Sequence, residues 1–185
     1  MYSKTTASLA LVSIGFLLTS EKLLPAQPDI ADVDLKVIRI GELETAIKSH
    51  RGKVVIVYMW GDYSAPDVKV LTDVAKMQKR MAKEPIVFMT LCHSPVHRDD
   101  PKLYEKKRAS NLEVLKRSKA QFQNFVLDEK DEVWESKLGF ASGPTFNVYE
   151  QSGKMVRTFS LGNDLFRIAD VEKLARELGR AKSSK

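Results

Sequence analysis

Val54-Val55-Ile56-Val57-Tyr58-Met59-Trp60-Gly61-Asp62-Tyr63-Ser64-Ala65-Pro66-Asp67-Val68 is the stretch whose reading decides the fold. Its first half is an apolar, β-branched run, which suits a strand buried on both faces. It breaks at Gly61-Asp62, and a helix starts near Ser64. A buried strand that turns straight into a helix N-terminus brings free backbone N–H groups together with the positive end of the helix dipole. Ser64-Ala65-Pro66-Asp67 has the capping-box form, with Ser64 as N-cap, Pro66 in the first turn and Asp67 at N3. The serine is expected to accept from the N3 amide, a cap contributing about 1 kcal/mol. Asp67 is expected to sit favourably on the dipole.

Outward from this stretch the chain alternates strands and helices. Leu35 to Ile40 alternates as a half-buried strand does, and Gly41 to His50 carries Leu43, Ala46 and Ile47 at helical spacing. After the strand ending at Trp60, the positions Val68, Leu71, Val74, Ala75 and Met77 form one stripe of a helix running to Lys83, where Pro85 stops it. Ile86 to Cys92 is a second continuously apolar strand. His93 to Pro101 reads as a loop, Leu103 to Phe122 as a helix with a basic outer face, and Phe125 to Leu127 as a short strand. Val133, Trp134 and Leu138 mark a short helix closed by Gly139. Thr145 to Tyr149 and Met155 to Phe159 flank a Ser152-Gly153 turn as a hairpin, and Asp164 to Leu178 is a last amphipathic helix. This order predicts an α/β domain, parallel strands joined by right-handed crossovers and closed by an antiparallel hairpin.

The quoted stretch resembles the active-site segment of thioredoxin-like proteins, in particular the exported TlpA-like thiol-disulfide oxidoreductases. There a buried strand leads to Trp, two residues, then Trp-Cys-x-Pro-Cys opening a helix. Trp60 matches the first tryptophan, Tyr63 stands at the second, and Pro66 keeps the proline. Ser64 stands in the place of the attacking cysteine and Asp67 in that of the resolving one. The resemblance covers about residues 35–179. It implies a thioredoxin-like three-layer α/β/α sandwich, with a central mixed sheet, a closing C-terminal hairpin and an inserted helix plus short strand at 103–127. Gly143-Pro144-Thr145 matches the segment where the family carries a cis-proline facing the redox loop, so a cis bond into Pro144 is expected. The resemblance further implies a groove for extended peptide, lined here by Trp60, Tyr63, Ser64, Ala65, Pro66, Asp67, Gly143, Pro144 and Thr145.

Composition bounds the chemistry. The chain has 185 residues, 43% of them apolar, enough for one domain with a full core. Its net charge of +6 is modest, and no aromatic residues interleave a basic run, which argues against a nucleic-acid module. Cys92 is the only cysteine, so no intramolecular disulfide, cysteine-built zinc site or dithiol couple can form. Thiol exchange needs a thiolate, and a serine hydroxyl cannot form the S–S bond. Dithiol oxidoreductase activity is therefore expected to be absent, and no cofactor is expected. Cys92 reads as a small core residue; the alternative is a redox protein in which this thiol works with an external one.

Two further chemistries are weaker. A Ser64–His93 hydrolase lacks the Gly-x-Ser-x-Gly elbow and an acid behind the histidine. A metal site from His93, His97, Asp99 and Asp100 rests on spacing alone. The N-terminus is more informative. Lys4 followed by the apolar run Ala7 to Leu18 has the form of a secretory signal, short for a spanning helix. Residues 1–26 are read as a signal peptide or anchor, 27–34 as a linker and 180–185 as a basic disordered tail. The expectation is an exported protein that touches membrane only through its N-terminal segment, does not bind nucleic acid, and takes a peptide or protein partner at the former redox groove. For the basic helix Lys102 to Lys119, a solvated face is the plain reading and an acidic partner the alternative.

Overall fold

The computed structural model describes residues 33–93, 100–139, 143–160 and 166–181. In chain order these residues form β1 (Lys36–Ile38), α1 (Ile40–Ser49), β2 (Val54–Trp60), α2 (Ala65–Arg80), β3 (Ile86–Cys92) and α3 (Pro101–Arg117). Then come β4 (Gln123–Leu127), α4 (Asp131–Leu138), β5 (Thr145–Tyr149), β6 (Met155–Ser160) and α5 (Ile168–Arg180). The strands make one six-stranded mixed sheet in the order β1-β4-β3-β2-β5-β6. β1, β4, β3 and β2 run parallel, while β5 and β6 close the sheet antiparallel.

Every residue of β2 and β3 is buried, as continuously apolar runs require when helices cover both faces. Alternate strand residues feed two cores. Tyr58, Trp60, Phe88 and Cys92 point into the layer of α2, α3 and α5, and Val57, Met59, Met89 and Leu91 into the layer of α1 and α4. The result is a three-layer α/β/α sandwich.

The short strand expected as an insertion is an interior member of the sheet. β4 lies between β1 and β3, with Phe125 opposite both Lys36 and Leu91. A buried asparagine fixes it there. Thr90 Oγ1 donates to Asn124 Oδ1 at 2.9 Å, and the Asn124 amide donates to the carbonyls of Phe122 and Ala120 at 2.8 and 3.0 Å. That amide also reaches the Asp34 carbonyl at 3.2 Å, while Val33 packs on the core, so the end of the predicted linker already touches the domain.

Several boundaries move for local reasons. Ile40 opens α1 instead of ending β1, and α2 stops at Arg80 with Met81 as its C-cap. α3 begins at Pro101 because Asp100 accepts from the Lys102 and Leu103 amides at 3.0 and 3.1 Å. It ends at Arg117, five residues before Phe122, after which Lys119 turns the chain with φ +56°. α5 runs to Arg180, and its predicted start at Asp164 lies outside the described residues.

Candidate functional site

Three strand ends meet at one edge of the sheet. β2 ends at Trp60 beside Cys92 of β3, and the His93 amide donates to the Trp60 carbonyl at 3.0 Å. On the other side of β2, Met59 pairs with Thr145, so Pro144 lies one position beyond the ladder, level with Trp60. The head of α2 stands over this junction.

Ser64 is the N-cap of α2 and its hydroxyl accepts from the Asp67 amide at 3.4 Å, as the capping motif predicts. The reciprocal half of the box is absent. The Ser64 amide donates to the Gly61 carbonyl at 3.1 Å, and the Asp67 carboxylate turns inward, where Oδ2 accepts from the Gly61 amide at 3.0 Å. Asp67 is 1% exposed and, among the described residues, its Oδ1 has no hydrogen-bond partner. Burial raises its pKa, opposed by the Gly61 amide, the Ser64 hydroxyl and the charge of His93. Below it, the buried Tyr58 hydroxyl donates to the Asp67 carbonyl at 2.8 Å. Burial first, and the Asp67 charge second, push the Tyr58 phenol far above its ordinary pKa.

Tyr63 stands out of this loop at 70% exposure, yet its ring is placed. Its edge meets His93 with centroids 5.9 Å apart, and its hydroxyl lies 3.5 Å from His93 Nδ1. A Cβ on Gly61 would fall 2.8 Å from Tyr63 Cζ, so the glycine makes room for the ring. His93 itself is buried against Trp134 of α4, centroids 5.3 Å apart. Asp62 is held by Lys107 of α3 at 2.8 Å.

Of the expected groove residues, Tyr63, Ala65 and Pro66 face solvent and Ser64 is half-buried. Trp60, Asp67, Pro144 and Thr145 are buried and shape the edge from beneath. The Thr145 hydroxyl lies 3.1 Å from both the Gly143 carbonyl and the Ser160 hydroxyl. The expected cis bond is corrected: no cis peptide occurs among the described residues, the Gly143–Pro144 bond included. Gly143 takes φ +76°, which lets glycine make the turn into β5 and leaves the proline in the ordinarily favoured trans form. Ser142 lies outside the described residues.

Cys92 is fully buried, and the Asn111 amide donates to its Sγ at 3.4 Å. The weaker metal reading falls partly on His97 and Asp99, outside the described residues. Among those described, no group of three potential ligands is present. Sequence reasoning missed Asn111, Lys107 and Trp134 as neighbours of this site. Only Asn111 left a signal, as a polar residue four positions before Leu115 on the inward stripe of α3. Among the described residues no helix is long and apolar enough to cross a membrane.

No protein-family model and no curated protein matches the sequence. Solved structures do match. A secreted disulfide oxidoreductase of Mycobacterium tuberculosis superposes with a TM-score of 0.51 at 12% identity, over 70% of this chain and 85% of that one. The fold is thioredoxin-like. A putative protein disulfide isomerase from Bacteroides thetaiotaomicron gives 0.53 at 17% identity over 71% and 77% of the two chains. An exposed lipoprotein thioredoxin of Streptococcus pneumoniae gives 0.51 at 17% over 71% and 90%. At these identities the likeness carries the thioredoxin-like architecture and leaves the chemistry to the residues of this chain.

Proposed function

We propose that this is an exported, TlpA-like thioredoxin-fold protein in which dithiol exchange has been replaced by binding of an extended peptide at the Tyr63–Pro144 edge. The observation that carries the reading is the head of α2. The two positions where the resembled family holds its cysteines are a capping serine and a buried aspartate that supports Gly61. Both side chains stabilise the loop, and neither can form a mixed disulfide or give up electrons to a disulfide. The reading through Cys92 is weaker, because a thiol at 0% exposure is closed to a protein disulfide.

The exposed Tyr63 ring, held at a fixed angle by His93, suits an aromatic anchor for a partner, and Ala65 and Pro66 extend the surface beside it. Export rests on the n- and h-regions at Lys4 and Ala7 to Leu18. The decisive experiment measures insulin reduction by dithiothreitol with and without the purified protein, together with the native labelling rate of Cys92. No acceleration and slow labelling are expected. Catalysed precipitation of insulin by the wild-type chain would overturn the proposal.

A further inference from the structure

One carboxyl fastens the turn that carries Tyr63. Asp67 Oδ2 accepts from the Gly61 amide at 3.0 Å, and the Ser64 amide closes the turn on the Gly61 carbonyl at 3.1 Å. The Tyr63 ring folds back over Gly61, where a Cβ would fall 2.8 Å from Cζ, so ring and turn move together. β2 ends at Trp60, so residues 61–64 hang on a side chain and not on the strand ladder.

The closed turn leaves buried polar atoms unsatisfied. Among the described residues, Asp67 Oδ1 has no hydrogen-bond partner, and neither has the indole Nε1 of Trp60, a fully buried residue directly before the turn. Nor does Asp67 make an ion pair among the described residues. The groups around it are few. β2 supplies the Tyr58 phenol, whose hydroxyl donates to the Asp67 carbonyl at 2.8 Å. His93, after β3, acts on the carboxyl as a charge, and α2 itself supplies the Ser64 hydroxyl. Lys107 of α3 meets Asp62 at 2.8 Å. An ionised carboxylate buried without a paired cation is costly, whereas the neutral acid in the same place needs only hydrogen bonds. Opening the turn admits water to the carboxylate and the indole together.

We propose that residues 61–64 form a proton-controlled latch: the neutral Asp67 carboxyl holds the turn shut with Tyr63 against His93, and ionisation of that carboxyl releases it. The closed form keeps the proton that the open, solvated form gives up to water. Closure is therefore full at acid pH and weakens as pH rises. Tyr63 becomes a firmly placed anchor in acid and a looser one near neutrality. That consequence for a partner rests on the peptide-binding reading above; the latch itself rests on the geometry of the α2 head alone.

The test is amide hydrogen exchange by NMR on the full chain, from about pH 3 to about pH 8. Each rate is compared with its unfolded-chain value, which removes the intrinsic pH dependence of exchange. Protection of the Gly61 amide is expected to lie below that of Val57 and Met89 in the central ladder and to fall about tenfold across the range. Asp67→Asn should hold it level, and His93→Gln should retain the fall. Protection of Gly61 that does not change with pH in the wild type overturns the latch. So does protection equal to that of Val57 at every pH, since the turn then opens only with the whole domain; the wild-type chain decides both outcomes without a variant. A fall that persists in Asp67→Asn overturns it, as does one that disappears in His93→Gln, which would assign the titration to His93. The peptide reading has its own probe, a fluorescein-labelled decapeptide of Gly alternating with Gln around one Phe, whose binding should be lost in Tyr63→Ala. No change in its anisotropy with the wild-type chain overturns that reading and leaves the latch standing.

Discussion

Asp67 offers the sharpest test of how the head of α2 is built. Its Oδ2 is the acceptor for the buried Gly61 amide at 3.0 Å, and its Oδ1 is buried without a hydrogen-bond partner among the described residues. Asp67→Ala strands the Gly61 amide, at a cost of about 1–3 kcal/mol for an unsatisfied buried group. In a domain of this size each kcal/mol lowers Tm by about 2–4 °C. Asp67→Asn keeps a carbonyl for that amide and removes the charge. At acid pH the wild-type carboxyl and the amide are both neutral, so the two chains should agree to within about 1 kcal/mol, the net worth of one hydrogen bond.

The pH dependence then separates them. Burial raises the folded pKa of Asp67 above its ordinary 3.8, so the folded state holds the proton more tightly than the unfolded state does. Stability from this group is full below the unfolded value and is lost as pH rises through the folded one. Urea denaturation from about pH 3, below the unfolded value, to about pH 8 should show wild type losing ground to Asp67→Asn as pH rises. Parallel profiles for the two chains would refute the buried-carboxylate account. So would a loss in Asp67→Asn as large as that in Asp67→Ala.

Three other perturbations probe the same edge. Ser64→Cys/Asp67→Cys should form a disulfide in oxidised glutathione, because N-cap and N3 are one helical turn apart. A four-residue loop contributes about 2 kcal/mol, which the stranded Gly61 amide offsets by about 1–3 kcal/mol, so the oxidised variant should be no more stable than the parent; persistently free thiols would count against the placement of these residues. Ser64→Ala should cost about 1 kcal/mol and Ser64→Asn should restore most of it, by urea melts, since both Ser and Asn cap. Ester turnover abolished by Ser64→Ala would instead revive the hydrolase. Gly61→Ala should displace the Tyr63 ring while changing stability by less than about 1 kcal/mol, because an exposed side chain can swing aside; peptide binding should then fall as it does in Tyr63→Ala.

The sequence by itself determined what is local in the chain. The β-branched apolar runs at Val54–Trp60 and Ile86–Cys92 suited central parallel strands, and the Ser64 cap followed from four residues whose backbone groups are neighbours. The hairpin and the order of the helices were legible for the same reason. Tertiary structure decided the contacts between residues distant in sequence. β4 became an interior strand because Asn124 found Thr90 and Asp34, 34 and 90 residues away. The Asp67 carboxylate left the dipole position assigned to it because the turn at Gly61 offered a buried amide at closer quarters. Gly143 could supply a positive φ, which removed the need for a cis proline and which no periodicity records. Lys107 reached Asp62, and Asn111 reached Cys92, only once α3 had packed on the sheet. Period and propensity report what each segment can bury; which polar groups meet beneath the helix head is settled by the packing of segments far apart in the chain.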